Sequence, residues 1–125
     1  MRNAINWFEI PAKNFDRAKK FYETILGKSL EEMQGMPDGF RMAMLPYDRN
    51  SEGVGGGIVQ GEGYEPSRQG VLIYLNGGKD LGVPLAKVEK AGGKILVPKT
   101  SIGEHGFMAQ FEDTEGNRIA LHSME

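Results

Sequence analysis

INWFEIPAKNFDRAKKFYETILGKSL, residues 5–30, carries the reading on which the fold depends. Its first part, Ile5 to Ile10, alternates as a strand does. Trp7 and Glu9 fall on one face and Phe8 and Ile10 on the other, because successive strand side chains point to opposite sides. Pro11-Ala12-Lys13 breaks the run, since proline has no amide hydrogen to give a sheet ladder. Asn14 can then cap a helix, with Asp16 in the first turn where negative charge suits the helix dipole. Phe15, Ala18, Phe21, Tyr22 and Ile25 recur at helical spacing, and Gly27 supplies the stop. A strand leads into an amphipathic helix that must fold back over one sheet face. The other face is expected to be the working surface.

Outward from this stretch, Lys28 to Met33 reads as a strand and Gly35 to Gly39 as a turn. Phe40 to Leu45 is the next strand. Tyr47 to Gly57 reads as a polar, glycine-rich loop, then Ile58 to Gln60 as a short strand. Gly61 to Gln69 looks like a linker between halves. Gly70 to Leu75 is a continuous apolar run, expected to be buried on both faces. Asp80 can cap a second helix, with Leu81, Leu85, Val88 and Ala91 inward and Pro84 tolerable near its first turn. Lys94 to Val97 reads as a strand and Pro98 to Gly106 as a loop. Phe107 to Glu112 and Arg118 to Ser123 flank Asp113 to Asn117, a hairpin turn by composition.

The order strand, helix, strand, strand, strand therefore occurs twice, over residues 1–62 and 68–125. Gly39-Phe40-Arg41-Met42-Ala43 is echoed by Gly106-Phe107-Met108-Ala109 and Gly27 by Gly93, 67 and 66 positions on. A duplicated βαβββ unit explains this. The fold class is α+β: two such units setting their sheets into a curved, half-open barrel with helices outside. The inner face becomes a groove of small-molecule size.

The totals bound the rest. A chain of 125 residues makes one domain. Net charge −2 offers no basic surface for nucleic acid or anionic membrane. The absence of cysteine excludes disulfides and thiolate chemistry. No leader pattern opens the sequence, and no apolar run approaches the ~20 residues of a membrane helix. The expectation is a cytoplasmic protein.

At this point the chain resembles the vicinal oxygen chelate superfamily, which includes glyoxalase I, bleomycin-resistance proteins and extradiol dioxygenases. The matching pieces, in order, are Trp7-Phe8-Glu9-Ile10-Pro11 before Asn14, Arg17-Ala18-x-x-Phe21-Tyr22, Leu26-Gly27, Tyr74-Leu75 before Asp80-Leu81, and Asp113-x-x-Gly116-Asn117-x-x-Ala120-Leu121. The resemblance implies the paired βαβββ fold, a small-molecule ligand and a homodimer, with the groove sometimes completed across the interface. It also implies a divalent metal, but the family's ligand positions are filled otherwise. Trp7 stands where the first strand usually carries His or Gln, Ala120 where the last carries Glu, and Gly70 to Ile73 where another His or Gln is common. Indole and methyl groups offer a hard ion no donor, so no cofactor is expected. The rival dimeric α+β barrel of small monooxygenase-like proteins leaves the repeated Gly-Phe hairpins unexplained.

Glu9 shares a face with Trp7, and His122 with Ala120. If those faces meet, Glu9 and His122 form an acid–base pair or hold a displaced metal; otherwise they are ordinary polar residues at the wet end of the groove. Trp7 reads as a stacking wall or as a plug filling the former metal cavity. His105 borders the groove from a loop, or is simply solvated. Tyr74 is a further lining candidate. Tyr47, Tyr64 and the loop Asp48 to Glu52 are a candidate lid or a plain surface loop. The acids of Glu112 to Glu115 read as solvated turn chemistry, not a cation site. The ligand-binding set is thus Trp7, Glu9, Tyr74, His105, Ala120 and His122. The leading function is binding of a small organic ligand without the usual metal. The alternatives are a lyase, isomerase or dioxygenase-type enzyme with a non-standard site, and a non-catalytic partner-binding module.

Overall fold

The computed structural model describes residues 3–48, 50 and 53–125. The first unit comprises β1 (Trp7–Pro11), α1 (Phe15–Leu26), β2 (Glu31–Glu32), β3 (Arg41–Met44) and β4 (Gly55–Gln60). The second comprises β5 (Ile73–Asn76), α2 (Gly82–Leu85), β6 (Lys94–Ser101), a 3₁₀ turn (Gly103–His105), β7 (Phe107–Glu112) and β8 (Arg118–Ser123). The sheets run β1-β4-β3-β2 and β5-β8-β7-β6. In each, the strand before the helix pairs in parallel with the last strand and the remaining pairs are antiparallel. The unit is α+β and doubled, as the repeat implies. The sheets remain two and do not close into a barrel.

Local chemistry builds α1 as expected. Asn14 Oδ1 accepts from the Arg17 amide at 3.1 Å, and Gly27, at φ 68°, donates its amide to the Glu23 carbonyl. A left-handed φ is open to glycine without a Cβ clash, so the helix stops there. Phe15, Ala18, Phe21, Tyr22 and Ile25 are buried. They cover β3 and β4, and the same face reaches the second sheet: the Phe21 and Phe111 rings lie 5.7 Å apart. One core results, joining Ile10, Ala43 and Ile58 to Phe111, Ile119 and Leu121. Truncating Phe21 to alanine is expected to cost about 3–5 kcal/mol.

Several elements depart from the sequence reading. Gly55-Gly56-Gly57 is strand, not loop. A Cβ on Gly56 would lie 2.4 Å from the Phe8 ring and one on Gly57 3.0 Å from the Ala43 carbonyl, so neighbours occupy the space side chains would need. The second helix is only Gly82–Leu85, and Asp80 accepts from the Gly82 amide just before it. Pro84 and the glycines at 92 and 93 leave turns after it, while Leu81, Leu85 and Val88 still point inward. The run Gly70 to Leu75 is not buried on both faces. Its strand starts at Ile73, Val71 is 90% exposed, and Tyr74 is exposed beside buried Leu75, because the sheet face opposite the helices is open. β6 continues past Pro98 as an edge strand, with register shifts between Ile95 and Val97 and again before Thr100.

The turn Asp113 to Asn117 is the main correction. It is not solvated: Asp113, Glu115 and Asn117 are all buried. Glu115 accepts from the Lys13 and Asn14 amides and from Arg17, clamping the second hairpin onto the N-terminus of α1. Asp113 accepts from the Tyr22 hydroxyl at 2.7 Å, and Asn117 Nδ2 donates to the Pro11 carbonyl at 2.8 Å.

Candidate functional site

Alternation along the strands decides which side chains reach the open faces. Phe8 and Ile10 point to the core, so Trp7 and Glu9 point away from it. Cross-strand register adds Gly55 beside Trp7, then Gly57 and Met44 beside Glu9, with Met42 and Met33 further out. On the second sheet, Leu75, Ile119, Leu121, Ala109 and Phe111 are buried inward, leaving Tyr74, Asn76, Ala120, His122, Met108 and Gln110 on the open side.

A cleft of about 640 Å³ opens at one end of the second sheet. Tyr74 and Asn76 from β5 and His122 from β8 form its floor, with Ile102, His105 and Met124 at its border. His122 Nε2 lies 2.7 Å from the His105 carbonyl oxygen. A carbonyl only accepts, so Nε2 carries the proton and Nδ1 of the neutral ring is the acceptor. The His105 ring itself is exposed, and its main chain does the positioning. Tyr74, His105 and His122, three residues singled out from sequence, thus line one space. Ala120 is fully buried between Tyr74 and Gln110 and does not line it.

Trp7 and Glu9 lie on the other sheet and do not line this cleft. The Trp7 indole donates to Glu9 Oε2 at 3.1 Å, and the Glu9 carboxylate beside the Tyr64 hydroxyl raises the Tyr64 pKa. Trp7 is 40% exposed. Tyr64 is seated by an edge-on contact with Phe40 at 6.2 Å. Of the candidate lid, residues 49, 51 and 52 lie outside the described residues. Asn76, Ile102 and Met124 escaped the sequence reading. Asn76 was findable, lying two positions from Tyr74 and so on the same face; the other two come from segments without strand periodicity.

A divalent ion needs several oxygen or nitrogen donors converging on one point. Among the described residues, no group of three or more His, Asp or Glu side chains is placed to hold one. The indole of Trp7 and the methyl of Ala120 supply no donor, so this donor set does not fit the metal that the resemblance implies.

Residues 4–121 match the family model for the Glyoxalase/Bleomycin resistance protein/Dioxygenase superfamily. The chain belongs to that superfamily. Its relatives include a glyoxylase-like domain-containing protein of Didymella fabae, 32% identical over 97% of this chain and 94% of the other. Among solved structures, a glyoxalase/bleomycin resistance protein from Albidiferax ferrireducens superposes with TM-score 0.71 at 15% identity, covering 95% of this chain and 97% of that one. A maize glyoxalase I mutant, V278E, gives 0.68 at 22% identity, over 94% of this chain but only 44% of the maize chain. The trypanothione-dependent glyoxalase I of Leishmania major gives 0.66 at 22%, over 98% and 87%. At such identities the structural likeness carries the superfamily fold and no particular reaction. Among the described residues no helix is long and apolar enough to cross a membrane.

Proposed function

We propose that this superfamily member binds a small organic ligand in the cleft of its second sheet, without a divalent metal of the superfamily's usual kind. The observation that carries the reading is the convergence of Tyr74, His105 and His122, distant in sequence, around one cleft of about 640 Å³. That size suits a small molecule, and its lining mixes apolar wall (Leu75, Ile102, Met124) with a few polar groups. His122 Nδ1 and the Asn76 and Tyr74 side chains supply the orienting hydrogen bonds, so the expected ligand carries a hydroxyl or amide donor on an apolar or aromatic body. An enzymatic role requires a proton acceptor in the cleft, and His122 is the residue suited to it. The protein is proposed to act as a homodimer.

The test is a thermal-shift screen of small aromatic and hydroxylated molecules, repeated with His122→Ala and Tyr74→Ala. A ligand at ~100 times its Kd stabilises by about 2.7 kcal/mol, a readily measured rise in Tm. The expected result is at least one such rise that both variants abolish. A rise that survives both, or a flat response across the screen, overturns the reading. Metal analysis of the purified protein is expected to find well below one equivalent per chain; a full equivalent of zinc, nickel, manganese or iron overturns the metal-free part.

A further inference from the structure

The first sheet carries a second arrangement, apart from the cleft above and independent of its reading. Trp7 and Glu9 project from alternate positions of β1 onto the open face. The Trp7 ring rests against Gly55, where a Cβ would lie 3.3 Å from Cζ3, and the Tyr47 ring borders the same point at 3.4 Å. A bare glycine floor thus seats an indole that remains 40% exposed, next to a second aromatic ring. Beside it the Glu9 carboxylate is held by the Trp7 indole N–H at 3.1 Å and flanked by the Tyr64 hydroxyl. Among the described residues no lysine, arginine or histidine forms an ion pair with Glu9. Met42 and Met44 continue the face with polarizable side chains.

We infer that the Trp7–Glu9–Tyr64 cluster is a binding site for an organic cation of the methylated-ammonium class. The components choose the ligand. Aromatic faces attract a cation electrostatically, indole most strongly, and a weakly hydrated alkylammonium gives up less solvation there than a metal ion does. One carboxylate cannot satisfy the six or more oxygens that calcium or magnesium demands. An anion would meet the Glu9 charge. A neutral flat molecule would stack on Trp7 but gain nothing from the carboxylate.

Trp7 is the chain's single tryptophan, so its fluorescence reports this site directly. Choline chloride is titrated at constant ionic strength, alongside 3,3-dimethylbutan-1-ol, which replaces the ammonium nitrogen by carbon at nearly the same shape. Saturable quenching by choline is expected, with the neutral alcohol at least about tenfold weaker. Glu9→Gln keeps an acceptor for the indole and removes the charge; it is expected to weaken choline about tenfold while leaving the alcohol unchanged. Equal affinity for the two probes, an unresponsive Trp7, or undiminished choline binding in Glu9→Gln overturns the proposal. Should Glu9→Gln fail to fold, the comparison of probes on the unaltered protein still decides. His122→Ala is expected to leave the titration unchanged; if it abolishes choline binding, the cation belongs to the second-sheet cleft and this site is refuted.

Discussion

Glu115 has only 6% of its surface exposed, yet five donors converge on its carboxylate: the Lys13 amide at 2.9 Å, the Asn14 amide at 2.7 Å, Arg17 Nε at 2.7 Å and Nη2 at 3.1 Å, and the Thr114 hydroxyl at 2.8 Å. Burial alone pushes its pKa up, but the Arg17 bond and the Asn14 amide outweigh burial and hold it below the usual carboxylate range. Its contribution to stability is therefore present above the unfolded pKa of ~4.3 and is lost as pH falls through the folded value. Asp113 behaves oppositely: burial raises its pKa despite the bonds from Asn117 and Tyr22. Between ~3.9 and that raised value the native state holds more protons than the unfolded chain, so stability falls there as pH rises. Glu115→Gln is expected to lose about 1–3 kcal/mol at pH 7, since a charge-assisted acceptor becomes a neutral amide. In calorimetric melts from pH 7 down to pH 2 its gap from the unaltered protein should hold to about pH 4 and narrow below it as Glu115 protonates. A gap independent of pH would show that shape, not charge, is what the turn requires.

At the scale of elements, legibility followed how much of each element's cause was local. Helix α1 was readable from Asn14 to Gly27 because its cap, its apolar face and its stop all lie within the helix sequence. The hairpin strands β7 and β8 were readable at both ends for the same reason. The buried role of Asp113 and Glu115 was not, because their partners Tyr22, Lys13, Asn14 and Arg17 lie some ninety to a hundred residues away. The candidate site divided in the same manner. Faces could be assigned where a strand alternates, as for Trp7 and Glu9, but nothing in the sequence shows that His122 is fixed by a carbonyl at His105. Strand β4 was hidden because Gly55-Gly56-Gly57 reads as turn chemistry, whereas Phe8, Met42 and Trp7 fill the missing side-chain volume. Gly56→Ala is accordingly expected to cost about 1–3 kcal/mol, the range for overpacking, since its methyl would meet the Phe8 ring on the adjoining strand. Urea denaturation measures this. An unchanged midpoint would mean that Phe8 turns aside freely and that the glycine run answers to something other than packing.

For the whole molecule, the consequence of a single shared core is that both sheets turn their other faces outward. Trp7, Met33 and Tyr47 stand 40%, 40% and 37% exposed on the first, and Tyr74, Ile102 and Met124 stand 50%, 42% and 61% exposed on the second. Apolar side chains gathered on open sheet faces are a surface that association would cover. A standard interface takes about 800 Å² from each partner, roughly a tenth of the 7731 Å² that one chain exposes. The proposed homodimer uses the far edge of the first open face, where Met33 lies across the sheet from Trp7, and so leaves the cation site open. Light scattering coupled to size exclusion is expected to give the mass of two chains at micromolar concentration. Met33→Lys places a charge on the first open face without touching the core, and is expected to shift the equilibrium to monomer with a Tm change no larger than the lost dimer linkage explains. If the unaltered protein runs as a monomer, the faces serve ligands alone. If Met33→Lys remains fully dimeric, the contact lies elsewhere on the molecule.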